Sequence, residues 1–430
     1  MKISILKKSN LYFVSSFAAL ILCGACLMKS HLFSPEKGLA WIDALFMSSS
    51  AVCVTGLTVV NTSEFSSLGQ LLILLLIQCG GLGLMTITTV MVLFVSGEMR
   101  MENTLLVSKV SSIFSLRELE KVIYVTVVYT FAVEITGALL MMPAFHISCG
   151  YGILKSFYYA FFHSVSAFCN AGFSIYDNSF MQANWYIKVV ISLLIILGGI
   201  GYYVVYDIYQ HWRLGGTVKA HTKTVIAVTA ILILTGMFLM KAIEWNGMSW
   251  LDAYFQSVTA RTAGYNSVDI CGLHSASILV LIVLMIIGAS PGSTGGGVKT
   301  TTAALAFIAV RNIFKGNNRV YLFKRQVQES DILKAYAIIT LYLFVAFLST
   351  MLILVIENGQ LQMVLFEVVS ALSTVGLSDG YTAKAGFWGK LILSACMFVG
   401  RVGPFSLIIF LISMEKQSKI SYPQENLILG

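Results

Sequence analysis

The sequence predicts an all-α polytopic membrane protein of four pseudo-symmetric units, each a span, a re-entrant helix and a second span. That makes eight transmembrane helices in all. Three observations predict it: an apolar composition, eight long apolar segments, and two glycine marks that recur in step four times. Of 430 residues, 57% are hydrophobic and only 11% charged, with mean hydropathy +0.83. A soluble domain carries roughly 25% charged residues, and no soluble core can hide this much apolar surface. Five prolines and the absence of a long polar tract argue against a separate soluble domain.

The amino-terminal run MKISILKKSNLYFVSSFAALILCGAC places lysines before an apolar stretch, as a secretory signal does. The stretch is too long and no small-x-small cleavage site follows, so it reads as a retained first span. A span needs about 20 apolar residues, and segments that qualify run over 10–29, 69–95, 121–142, 186–209, 222–244, 276–311, 332–356 and 387–413. Shorter half-apolar pieces lie between the members of each pair: Trp41–Cys53, Lys155–Cys169, Trp250–Arg261 and Leu361–Ser373. About 11 helical residues cover about 16 Å, half a bilayer, which suits helices that dip in and return.

Each short piece ends in a polar run: Val54-Thr55-Gly56-Leu57-Thr58, Asn170-Ala171-Gly172-Phe173-Ser174, Thr262-Ala263-Gly264-Tyr265-Asn266 and Thr374-Val375-Gly376-Leu377-Ser378. Following those glycines by 24, 26, 24 and 24 residues come Gly80-Gly-Leu-Gly83, Gly198-Gly-Ile-Gly201, Gly288-Ala-Ser-Pro291 and Gly400-Arg-Val-Gly403. Two independent marks in nearly one register define an internal repeat. The units run over 1–100, 101–215, 216–325 and 326–430.

Lysine and arginine placement sets the topology. The amino terminus, the loops between units and the tail carry 18 of these residues, including Arg100, Lys109, Arg311, Arg319, Lys324 and Lys416; the opposite face carries eight. Both termini are therefore expected in the cytoplasm, with the four glycine runs nearer the outside. The basic stretch 311–334 suits anionic lipid headgroups or an acidic partner.

Backbone at membrane depth must be satisfied by protein or must line an aqueous cavity. Four short loops about a common axis aim their carbonyls at a central pore, and carbonyl rings replace the hydration shell of a monovalent cation. The fourth run is closest to the potassium-channel filter TVGYG. Glycine in the third place frees the backbone to turn a carbonyl inward, and the short helices present their negative C-terminal ends to the centre. Asp43, Asp252 and Glu367 lie on these helices and read either as caps and packing partners or as direct ion ligands.

From Ala276 to Phe314 is 39 residues, about 58 Å if helical and nearly twice a bilayer core. Gly288–Gly297, with five glycines and Pro291, is where it unwinds. Gly292, Gly297, Lys299 and Thr300 almost spell the phosphate loop G-x-x-x-x-G-K-T, but Val298 displaces the lysine by one place. The stretch comprising Gly292, Ser293, Thr294, Gly295, Gly296, Gly297 and Lys299 reads as an intramembrane gate, or else as a passive kink. Arg401 occupies in the fourth unit the place of Ala289 in the third. An intramembrane arginine is costly and marks function: it either bonds loop carbonyls and holds the gate shut, or pairs with an acid such as Asp207.

Eight scattered cysteines, among them Cys23 and Cys26 mid-span, read as small apolar filler. Six histidines without paired spacing give no metal cluster. No enzymatic activity is expected.

The runs SAVCVTGLTVV (50–60), AFCNAGFS (167–174), GGLG (80–83), ASPGSTGGG (289–297) and GRVGP (400–404) resemble the Trk/Ktr/HKT superfamily of potassium transporters over nearly the whole chain. Eight spans without an extra leading pair resemble its Ktr-type membrane subunits. The resemblance implies potassium uptake across a bacterial plasma membrane and a homodimer with one pore per subunit. It further implies a cytoplasmic ring of nucleotide-binding (ATP/ADP) regulatory subunits. Lipids are the other expected partner; nucleic acid is not. It implies a filter at Val54, Thr55, Gly56, Asn170, Ala171, Gly172, Thr262, Ala263, Gly264, Thr374, Val375 and Gly376, with Gly56 favouring potassium over sodium. Asn170 departs from the threonine or valine of the other runs. No cofactor is expected in this chain beyond potassium as the permeating ion, with sodium a candidate activator. The alternative reading is a Na+- or H+-coupled symporter working by alternating access, for which intramembrane Glu134 and Asp207 leave room.

Overall fold

The computed structural model describes residues 2–36, 38–96, 116–316, 320–323 and 325–403. The expected loop and tail charges Arg100, Lys109, Arg319, Lys324 and Lys416, and the last expected span beyond residue 403, lie outside these residues.

Fourteen α-helices appear among the described residues. In chain order they are α1 (Lys2–Lys29), α2 (Trp41–Val52), α3 (Ser67–Ser96), α4 (Leu116–Cys149), α5 (Ile153–Phe168), α6 (Trp185–Ile200) and α7 (Tyr202–Leu214). There follow α8 (Ala220–Ile243), α9 (Trp250–Thr259), α10 (Ser275–Ile286), α11 (Thr300–Phe314), α12 (Glu329–Glu357), α13 (Leu361–Leu372) and α14 (Phe387–Val402). A two-stranded antiparallel hairpin, β1 (Tyr321–Leu322) with β2 (Arg325–Gln326), joins α11 to α12.

Among the described residues, three helices are long and apolar enough to cross a bilayer unbroken, over Tyr124–Ile147, Ala220–Ile243 and Glu329–Glu357. Their flanks expose large apolar side chains such as Phe131, Leu234 and Phe347, as lipid-facing surfaces do. Exposed Trp41, Trp185, Trp250 and Trp388 stand in the first turns of α2, α6, α9 and α14, the amphipathic belt expected where helices meet the membrane interface.

The short helices α2, α5, α9 and α13 have 12, 16, 10 and 12 residues and bury their last turns completely. Each packs on the long helix before it, and each also meets the second long helix of the preceding unit: α3 meets α5, α6 meets α9, α10 meets α13, and α14 returns to α2. The order closes on itself.

One device recurs where the first span meets its short helix. Ser48 donates to the Ile21 carbonyl, Ser164 to Glu134 and Ser257 to Ile233, at 2.6, 2.6 and 2.8 Å. In each case the glycine three residues on (Gly24, Gly137 or Gly236) leaves room that a Cβ would fill. Glu357 ends α12 and accepts from the amides of Gly386 and Gly389 at the start of α14 (3.0 and 2.6 Å). Glu244 likewise accepts from His274 N and Ser277 Oγ at the start of α10, at 2.8 and 2.7 Å. A carboxylate there satisfies orphan amides and the positive helix end together.

One expected element is corrected. The segment 186–209 reads as a single span, but α6 and α7 are separated at Gly201 by a bend of 88°. The cause is tertiary and lies in the loop after α10.

Candidate functional site

The four polar runs meet in one ring. Each begins where a short helix ends, and the amide of its second residue folds back onto that helix. Thr55 N donates to Ser50 O, Ala171 N to Ser166 O, Ala263 N to Thr259 O and Val375 N to Ser370 O, at 2.8–2.9 Å. Gly56 N and Gly376 N go further back, to the Ser50 and Ser370 hydroxyls at 3.0 and 3.1 Å. In a trans peptide the carbonyl points opposite to the following N–H. With the amides turned toward their own helices, the carbonyls of Val54, Thr55, Asn170, Thr262, Ala263, Thr374 and Val375 face away, toward the middle of the ring.

The backbone reverses at both ends of each triplet. The first residues, Val54, Asn170, Thr262 and Thr374, have φ of 52–79°, and the third, Gly56, Gly172, Gly264 and Gly376, have φ of 70–96°. Left-handed valine and threonine are uncommon and strained, and here they persist because the ring over-determines them.

Ring closure explains the third-place glycine a second time. A Cβ on Gly56 would strike the Ala171 carbonyl, one on Gly172 that of Ala263, one on Gly264 that of Val375, and one on Gly376 that of Thr55. Each run thus presses against the next, and the fourth against the first. Tyr265 adds a cross-link, donating from its hydroxyl to Ser166 Oγ at 2.7 Å. The Asn170 amide meets the Thr262 hydroxyl at 3.2 Å, while buried Thr55 Oγ1 and Thr374 Oγ1 make no hydrogen bond among the described residues. The four glycines, with Thr58, Ser174, Asn266 and Ser378 two places after them, line a cavity of about 140 Å³.

On the opposite side, against the first-place residues, lies the loop between α10 and α11. It is ordered by its own bonds: Gly288 N to Val298 O and Val298 N to Ile286 O, both 3.0 Å. Gly295 and Gly296 have no room for a Cβ, which would overlap the Thr262 and Thr374 hydroxyls. Ser293 turns its hydroxyl onto Ser290 O at 2.6 Å, and Lys299 reaches back to Gly295 O, also at 2.6 Å. Gly292 and Gly297 sit at φ of 73° and 70°.

This loop also causes the α6–α7 break. Ser290 N donates to Gly199 O and Thr294 N to Gly198 O (3.1 and 3.4 Å), while Tyr202 N donates to Gly292 O at 3.1 Å. Gly201, at φ 88°, has the Pro291 carbonyl 2.6 Å from where a Cβ would stand. Groups freed by the bend are thereby satisfied by the loop.

Arg401, only 3% exposed, joins two elements. Its Nη1 donates to the Thr294 carbonyl and its Nη2 to the Gly80 carbonyl, the latter at 2.6 Å. The alternative partner is engaged elsewhere: Asp207 accepts from Thr222 Oγ1 and Lys219 N at 2.6 and 3.0 Å. Asp43 and Asp252 sit in the first turns of α2 and α9 and pair with Lys390 and Lys188 at 2.6 and 2.8 Å. They tie each of these short helices to a neighbouring unit. Glu134 accepts from Gln78 at 3.2 Å.

Sequence reasoning missed three contributors: the hydroxyls of Ser50, Ser370 and Thr259, which hold ring amides; the Gly80 carbonyl; and the glycine break at Gly201. A hydroxyl five or six residues before each ring glycine was the available signal.

The family profile described as TrkH, a cation transport protein, matches residues 18–226 and 215–422. The chain belongs to the TrkH family. It is 34% identical to the Ktr system potassium uptake protein B of Vibrio alginolyticus, over 96% of this chain and 93% of that relative. It is 33% identical to the potassium/sodium uptake protein NtpJ of Enterococcus hirae, over 97% and 96%. The crystal structure of the potassium transporter TrkH from Vibrio parahaemolyticus shares the fold. Its TM-score is 0.76 at 18% identity, covering 94% of this chain and 85% of that one.

Proposed function

We propose that this member of the TrkH family carries potassium into a bacterial cell by channel-like permeation. The ring at 54–56, 170–172, 262–264 and 374–376 is its filter. The observation that carries the reading is the closed cycle of four runs whose amides are tied outward and whose carbonyls therefore face one centre, the arrangement that substitutes for a cation's water shell. In this reading the eight spans form four units about a central pore, with both termini in the cytoplasm. Inward movement down the membrane potential gains about 2.3 kcal/mol per 100 mV, enough to drive uptake without coupled chemistry.

The loop 288–300 is the gate. It lies directly against Thr262 and Thr374, and the positive charges of Lys299 and Arg401 at its carbonyls oppose a cation leaving the filter. The Vibrio alginolyticus relative is named as protein B of a Ktr system; in our reading this chain likewise works as the membrane subunit of a larger system, a homodimer on a cytoplasmic ATP/ADP-binding ring. The test is tracer flux into liposomes holding the purified protein. Rubidium should exceed sodium, and Gly56→Ser should erode that preference. Equal rubidium and sodium fluxes in the unaltered protein overturn the proposal.

A coupled symporter is the second reading, favoured by buried Glu134, whose carboxylate meets Gln78 and, at the end of α5, the Cys169 thiol. It requires rubidium flux to follow an imposed sodium or proton gradient at fixed voltage.

A further inference from the structure

Behind the ring, one position on the short helices repeats a bond that neither the spacing of glycines nor the carbonyl geometry includes. His163 stands nine residues before Gly172, and Glu367 nine before Gly376. Both are wholly buried. His163 Nε2 meets Ser174 Oγ at 3.2 Å, and Glu367 Oε1 accepts from Ser378 Oγ. Each serine lies two residues after its ring glycine.

The proton direction is settled by the surroundings. Tyr176 N donates to Ser174 Oγ and Gly380 N to Ser378 Oγ, at 3.0 and 3.1 Å, so each hydroxyl has its own proton to give. His163 Nδ1 faces the Tyr159 carbonyl at 2.8 Å and must be the protonated nitrogen, which leaves Nε2 an acceptor. A second amide joins each acceptor: Ile175 N to His163 Nε2 at 3.3 Å and Thr382 N to Glu367 Oε1 at 3.1 Å.

The other two units lack the bond. Met47 has the first-unit place and no polar atom to offer a hydrogen bond of this kind. The third run is one residue shorter from its helix hydroxyl, so its equivalent is Gln256, whose amide atoms make no hydrogen bond among the described residues.

We propose that His163 and Glu367 are positioning residues that brace the outer end of the filter on one diagonal, second and fourth runs, and thereby set its discrimination between potassium and sodium. This rests on the reading of the ring as an ion filter. A rigid acceptor at each place fixes the serine, hence the peptide just after the ring glycine. With it lost, the carbonyl cage relaxes to fit a smaller ion.

The test is the ratio of rubidium to sodium tracer flux in liposomes holding the full-length protein. Glu367→Leu and His163→Leu should each lower the ratio by about tenfold, the scale of one lost buried hydrogen bond. Glu367→Gln keeps an acceptor oxygen and should stay within about twofold of the parent. Ser378→Ala and Ser174→Ala remove the same bonds from the other side and should match the leucine variants, whereas Gln256→Leu should leave the ratio unchanged. If the leucine variants do not fold, the serine variants decide. Parental ratios in Ser378→Ala and Ser174→Ala overturn the brace. If Gly56→Ser also leaves the ratio unchanged, the filter reading itself fails, so the two failures are told apart.

Discussion

Arg401→Ala is the sharpest perturbation of the proposed gate. The guanidinium holds two carbonyls on different elements, Thr294 in the loop and Gly80 on α3. Hydrogen bonds to a charged group are worth about 1.5–3 kcal/mol each. Taking the lower figure for both gives about 3 kcal/mol removed from the conformation in which the loop abuts the ring. That corresponds to about a hundredfold shift toward conformations with the loop displaced. No carboxylate forms an ion pair with Arg401 among the described residues, so its loss strands no buried negative charge, and the variant should fold. The assay is rubidium uptake into liposomes without any added regulator, with size-exclusion elution and thermal unfolding as controls. Uptake should rise steeply in Arg401→Ala and to an intermediate level in Arg401→Lys, since one ammonium cannot hold both carbonyls as a fork does. A folded Arg401→Ala protein with parental uptake would refute the latch.

Gly201→Ala places a Cβ against the Pro291 carbonyl at φ 88°, a strain of about 1–3 kcal/mol; it should lower the melting temperature and raise basal flux by dislodging the loop. Gly172→Ala, with the Ala263 carbonyl 2.7 Å from its Cβ, should cut rubidium flux by at least about tenfold while leaving the protein folded, and normal flux would contradict the ring geometry. Lys188→Met and Asp252→Asn, partners at 2.8 Å, should show a coupling of about 1–2 kcal/mol in a double-mutant cycle read by thermal unfolding; additive effects would mean the pair does not tie α6 to α9.

What could be read from the sequence, and what could not, divides along a physical line. Features set by local chain chemistry were legible: apolar length, short helices of half a bilayer, and glycines where the backbone must turn. Features set by what another segment does were not. Gly80-Gly-Leu-Gly83 and Gly198-Gly-Ile-Gly201 are nearly the same word, yet α3 runs through the first to Ser96 while the second snaps by 88°. The difference is the partner: the loop after α10 bonds the carbonyls of Gly198 and Gly199 and the amide of Tyr202, and an apolar pattern contains no record of that donor. The left-handed first places were hidden for a related reason, since β-branched Val54, Thr262 and Thr374 disfavour the conformation intrinsically and adopt it only under the closure of the ring. The same division explains Arg401. Its depth in a span marked it from sequence, and the loop carbonyl was a foreseeable partner. Its second hold, on Gly80 of the first unit 321 residues away, ties α14 to α3 as well as to the loop.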